Sequence, residues 1–139
     1  MVRTALDNFR RPPCAELLGW RLLDASPEAG WIRIAFEGKT EFCNPAGFIQ
    51  GGMLSAMLDD TMGPAVLVMS EGRLHTTTIS MTVNFLSPAR AGPIIGEAKV
   101  TQLGKTIAFV EARLMAEDGM VLATASASER LLEAARVVQ

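Results

Sequence analysis

The stretch Asn44-Pro45-Ala46-Gly47-Phe48-Ile49-Gln50-Gly51-Gly52-Met53-Leu54-Ser55-Ala56-Met57-Leu58-Asp59-Asp60 decides how the rest of the chain reads. Asn44, Pro45 and Gly47 favour turns, and beyond the Gly51-Gly52 pair Met53, Leu54, Met57 and Leu58 recur at helical spacing. The spacing predicts a helix from about Gly51 to Val68, with the partnerless N–H groups of its first turn beside Gln50 and Gly51. On a helical wheel Gly52, Ser55, Ala56 and Gly63 fall within about 60° of Asp59, and the large apolar side chains lie mostly opposite. Asp59 therefore occupies a narrow face of small residues that a ligand or another backbone can approach closely. Pro64 lies inside the pattern and is expected to kink the helix or end it early, because it lacks an N–H and clashes with the preceding turn.

Outward from the helix the chain reads as strands. On the N-terminal side, Val2 to Arg10 predicts a short helix stopped by Pro12 and Pro13, and Cys14 to Leu18 a further turn. Trp20 to Ala25 and Trp31 to Phe36 form a strand pair about the Ser-Pro-Glu-Ala-Gly turn, and a loop from Glu37 to Ile49 leads into the helix. On the C-terminal side, Thr76 to Leu86 alternates, with Thr77, Ile79, Met81, Val83 and Phe85 on one face expected to be buried and Thr76, Thr78, Ser80, Thr82 and Asn84 on a polar face. Strands follow at Ile94 to Gln102, Ile107 to Met115 and Met120 to Arg130, the last after an Asp118-Gly119 hairpin signal. One long helix with an antiparallel sheet predicts an α+β fold in a single domain, residues 1–139, in which residues 1–18 form a helical extension.

Composition narrows the function. The chain has 139 residues, 49% hydrophobic and 20% charged, with a net charge of −2. That balance fits a globular protein and lacks the basic surplus of a nucleic-acid binder. No stretch reaches the roughly 18 uninterrupted apolar residues of a membrane helix. Met1 to Arg11 carries Asp7 and has no apolar signal core, so a cytoplasmic location is expected. Cys14 and Cys43 are far apart and have no histidine cluster beside them, which gives no metal signature and suits reduced cysteines.

Three motifs together resemble the hotdog-fold thioesterases of the phenylacetate-degradation (PaaI-like) group. They are N-x-x-G-x-x-Q-G-G-x-x-x-x-x-x-D from Asn44 to Asp59, V-N-F-L-S-P-A-R-A-G from Val83 to Gly92, and L-G-K-T-I-A-F from Leu103 to Phe109. The resemblance covers about Gly19 to Arg130. It implies a long central helix wrapped by a curved antiparallel sheet, an acyl-coenzyme A substrate, and no metal or other cofactor. It also implies homodimers with active sites shared between subunits, paired into a tetramer as a dimer of dimers. By match of position Asp59 is the catalytic carboxylate and Gly51 the backbone donor facing the thioester carbonyl. Asn44 matches an asparagine that orients water or substrate, and Thr78 a hydroxyl near the carboxylate. Gln50 stands where the family usually has histidine; an amide donates a hydrogen bond but takes up no proton near neutral pH. Arg90 and Lys105, with Arg73 behind them, are the candidates for the coenzyme A phosphates.

The residues support that chemistry independently. A carboxylate serves as base on water or attacks a thioester directly, and a helix N-terminus holds the developing oxyanion. The plainer readings remain open: Asp60 as a surface or hydrogen-bonded structural residue, Asn44 as a turn former, Thr78 as part of a structural strand face, and Arg90 and Lys105 as solvated turn charges. His75, the only histidine, reads as a loop residue before a strand, away from the carboxylate. Its isolation weighs against a Ser-His-Asp hydrolase and a hotdog dehydratase. A non-catalytic acyl-CoA-binding protein of the same fold is the alternative that Gln50 keeps in view.

Overall fold

The computed structural model describes residues 4–8 and 10–134. A 3-10 turn, Ala5–Asn8, precedes helix α1, Pro13–Leu18. Strands β1, Arg21–Ser26, and β2, Trp31–Gly38, lead through a loop to helix α2, Gly51–Met69. Strands β3, Leu74–Phe85, β4, Gly92–Leu103, β5, Ile107–Ala116, and β6, Val121–Glu133, complete the chain. Of the helix expected over Val2 to Arg10, residues 2, 3 and 9 lie outside the described residues, and the described part is the 3-10 turn. Among the described residues no helix is long and apolar enough to cross a membrane.

Helix α2 is held by burial rather than by its caps. Gln50 makes no side-chain capping bond and no charged residue complements either end. Met57, Leu58, Met62, Ala65 and Val66 are fully buried, each large side chain contributing roughly 1.5–3 kcal/mol. Met53, Met57 and Met62 all belong to the core or pack against it. A close approach to β4 is possible because Gly96 faces Thr61: a Cβ there would stand 2.7 Å from Thr61 Oγ1, closer than real contacts allow.

Pro64 does not end α2, which runs on to Met69. Proline removes the N–H that the carbonyl four residues back, that of Asp60, would accept. The indole Nε1–H of Trp20 donates to that carbonyl at 3.0 Å. Trp20 is delivered there by the end of α1, where Gly19 takes φ 70° and Trp20 N–H bonds back to the Ala15 carbonyl. A tertiary contact 40 residues away in sequence thus repairs the break that Pro64 makes.

The six strands form one antiparallel sheet in the order β1-β2-β4-β5-β6-β3, and α2 packs across it, contacting every strand. Each expected strand is present, with ends shifted by a few residues. The face assignment of β3 needs correction. The pairing of β3 with β6 slips between Thr78 and Ser80, so Ile79 is an extra, bulged residue. The bulge breaks the alternation. Thr76 and Thr78 lie half-buried ahead of it and Met81 and Val83 half-buried after it, whereas Thr77, Ile79 and Phe85, expected in the core, are exposed, Ile79 by 57% and Phe85 by 54%. In β6 alternation holds from Ala123 to Glu129, and Ala123, Ala125, Ala127 and Glu129 are all buried.

Candidate active site

The bulge in β3 aims Thr78 at the small-residue face of α2. Its Oγ1 lies 2.7 Å from Asp59 Oδ1 and 2.9 Å from Glu129 Oε2. Asp59 and Thr78 line a cavity of about 630 Å³ with Asp60, Gly63, Pro64 and Leu67 of α2, Trp20, and Leu6, Arg10, Arg11, Pro12 and Ala15 of the N-terminal segment. At Gly63 a Cβ would stand 3.1 Å from Thr76 Oγ1, so this glycine lets α2 and β3 approach closely beside the cavity. Its size is that of a small-molecule pocket.

Three carboxyl groups meet here. Asp59 is exposed to the cavity, while Glu129 has no exposed surface at all. Burial, then the charge of Asp59, pushes the Asp60 carboxyl up to about 7. Its Oδ2 is buried without a hydrogen-bond partner. The expectation of a surface or hydrogen-bonded Asp60 is corrected accordingly. Glu129 is also raised, first by burial and then by Asp59, against hydroxyls of Thr78 and Thr76 that pull it down. His75 is corrected too: it belongs to β3 rather than to a loop, and it lines the same cavity as Asp59. The sequence separation of His75 and Asp59 was misleading because β3 runs back along α2.

Gly51 and Asn44 lie elsewhere. They line a separate cavity of about 360 Å³ with Phe48, Leu54, Phe85 and Leu86. Gly51 and Asp59 are separated by eight helical steps, a rise of ~12 Å, so no single small functional group can touch both within one chain. Met53 and Leu54 N–H groups bond the Gln50 carbonyl, which leaves the Gly51 and Gly52 N–H groups without a backbone acceptor among the described residues. Asn44 Oδ1 accepts from the N–H groups of Ala46 and Phe48, at 3.0 and 3.1 Å, and so braces the loop before the helix. Asn44 is thus a turn former at least, and this network uses only its oxygen. Gln50 is exposed at the same helix start.

The three candidate cations are not gathered in one chain. Arg73 and Lys105 lie at one end of the sheet, where Thr106 bonds Leu131 and Leu74 pairs with Glu133. Arg90 is at the other end, its guanidinium 5.7 Å from the centre of the Phe48 ring. Sequence reasoning missed Glu129. The signal was available: the period-2 row Ala123, Ala125, Ala127 continues onto it, and a charge in register with buried alanines is the informative exception.

Comparison with known proteins places this geometry. Residues 46–123 match the thioesterase superfamily. The chain is 31% identical over 105 residues to a Saccharolobus solfataricus protein that carries an esterase name, covering 76% of this chain and 74% of that one. It is also 31% identical over 94 residues to human acyl-coenzyme A thioesterase 13, covering 67% and 65%. Among solved structures, a phenylacetic acid degradation-related protein of Ralstonia eutropha superimposes with a TM-score of 0.84 at 32% identity, covering 91% and 95%. The Escherichia coli PaaI protein superimposes at 0.76 and 19% identity, covering 84% and 86%, a likeness of fold.

Proposed function

The chain belongs to the thioesterase superfamily of hotdog fold, and from that premise we propose that it hydrolyses the thioester of an acyl- or arylacyl-coenzyme A to the free acid and coenzyme A. The observation that carries the reading is Asp59, held by Thr78 at 2.7 Å in a cavity sized for an acyl group. Asp59 drives attack on the thioester carbonyl carbon, as base on water or as nucleophile through an anhydride that water opens. In either route the C–S bond breaks and the sulfur of coenzyme A leaves and takes up a proton. The Gly51 N–H holds the charge that develops on the carbonyl oxygen, aided by the dipole of α2. One such donor lowers the barrier by about 2.7–4 kcal/mol.

This chemistry needs two subunits, since Asp59 and Gly51 are ~12 Å apart along α2. The unpaired edge of β3 is long and carries exposed Ile79 and Phe85, the kind of edge that pairs with another chain. Antiparallel pairing of β3 with its copy about a dyad between Met81 and Thr82 sets Thr78 opposite the partner subunit's Phe85. Asp59 of one chain then faces the partner subunit's Gly51, Asn44 and Gln50, because Phe85 lies against Gly51 in each chain. The same dyad brings Arg90 of one chain to the end where the partner subunit's Arg73 and Lys105 lie, which gathers cations for the phosphates of coenzyme A. Asn44 and Gln50 orient substrate by hydrogen bonds. Such dimers pair again into a tetramer. Free Cys14 and Cys43 suit the cytoplasm as the place of work.

Thiol release from phenylacetyl-, benzoyl- and short and long straight-chain acyl-CoAs tests the reading. Wild-type protein turns over at least one of them, and Asp59→Asn lowers kcat at least about a hundredfold with an unchanged melting temperature. Near-wild-type turnover by Asp59→Asn contradicts the assignment. Tight acyl-CoA binding without turnover favours instead a non-catalytic acyl-CoA-binding protein, the reading that Gln50 supports.

A further inference from the structure

Thr78 has two carboxyl partners and one proton. Its Oγ1 stands within hydrogen-bond distance of both Asp59 Oδ1 and Glu129 Oε2, at 2.7 and 2.9 Å. A threonine hydroxyl donates once and otherwise accepts. With both carboxyls ionised, one of these contacts would set an anion against an oxygen lone pair. One carboxyl must therefore supply the second proton. Asp59 is exposed and opens onto the cavity, while Glu129 has no exposed surface.

The surroundings of Glu129 lead to the same choice. From α2 it meets Asp59 with Asp60 beside it, from β3 the hydroxyls of Thr76 and Thr78, and across the ladder on β5 the buried Ala108. His75 of β3 and Arg10 and Arg11 line the same cavity, and the ion pairs among the described residues engage Glu16 and Glu97. Glu129 Oε1 is buried without a hydrogen-bond partner, a position that a neutral carboxyl tolerates far better than an anion.

We propose that Glu129 works as a neutral carboxylic acid that donates its proton to Thr78 Oγ1, so that Thr78 donates to Asp59 Oδ1 and this one-way chain fixes the Asp59 carboxylate for attack. Glu129 is a positioning residue acting through Thr78, and the assignment rests on Asp59 as the residue that drives hydrolysis. Ionisation of Glu129 at alkaline pH sets two anions competing for one hydroxyl. Asp59 then loses its fixed donor, and turnover falls.

Infrared spectroscopy reads the proton without reference to activity. Wild-type protein at neutral pH shows a protonated-carboxyl carbonyl band that Glu129→Gln removes, distinct from the band that Asp60→Asn removes, and raising the pH bleaches it. In the pH dependence of kcat, Glu129→Leu lowers turnover about tenfold or more at neutral pH with KM little changed. Glu129→Gln, whose amide also donates to Thr78, recovers most of that loss and lacks the alkaline fall seen in the wild type. The absence of a Glu129 band, or a Gln variant as slow as the Leu variant, overturns the proposal. A protein without thioesterase turnover contradicts the function reading instead, and the infrared band still decides the protonation of Glu129.

Discussion

Asp60 is the residue whose surroundings cost the fold most visibly. Its carboxyl is raised from 3.8 to about 7, first by burial and then by Asp59. Between about pH 4 and about pH 7 the folded chain thus binds more protons than the unfolded chain, so stability falls as pH rises through that window. The loss assigned to Asp60 is on the order of 2 kcal/mol, below the full shift because the side chain is partly solvent-screened. Urea unfolding across the window shows a declining midpoint, and Asp60→Asn makes the decline shallower, the remainder coming from Glu129, which is raised in the same direction. A midpoint in the Asn variant that declines as steeply as the wild type contradicts this account. At this scale the sequence was partly legible. Asp59 stood out because small residues flank it on the wheel. Asp60 and His75 were misplaced because burial of each depends on the N-terminal segment and on β3, which no local periodicity reports.

The elements were legible where one period runs unbroken and obscure where a tertiary contact overrides it. All six strands and α2 follow from hydrophobic spacing, turn residues and the Asp118-Gly119 signal. Two local failures share one cause. Pro64 reads as a break until Trp20 supplies the missing donor to the Asp60 carbonyl. Strand β3 reads as continuous alternation until its pairing with β6 inserts Ile79 as a bulge. The first of these is testable by a double-mutant cycle. Trp20→Phe leaves the buried Asp60 carbonyl unpaired and costs about 1–3 kcal/mol beyond lost packing. Pro64→Ala restores the helical N–H, so the same Trp20 change costs about 1 kcal/mol less in that background. Equal costs in both backgrounds would show that the indole does not repair the helix. The bulge adjoins Thr78, whose Oγ1 bonds Asp59, so the irregularity lies at the proposed site.

At the scale of the molecule, the proposed site falls into two halves that do not meet within one chain. Asp59, Thr78 and Glu129 form one half, and Asn44, Gln50 and Gly51 the other, ~12 Å along α2. Asn44, Gln50, Gly51 and Asp59 stand in one motif, but distance along a helix hides which of them act together. The most direct measurement is thiol release by heterodimers purified from co-expressed, differently tagged Asp59→Asn and Gly51→Pro chains. Proline fits the first helical position, and Gln50 before it, with φ −59° and ψ 137°, already has the backbone that proline requires, so the change removes the donor and spares the helix, while its Cβ, 3.1 Å from the Phe85 ring, makes that exposed side chain give way. Each homodimer lacks half of both sites and is nearly inactive. The heterodimer keeps one intact site, with Asp59 from one chain and Gly51 from the other, and about half of wild-type kcat is expected per dimer. Heterodimers no more active than either parent would contradict a site shared between subunits.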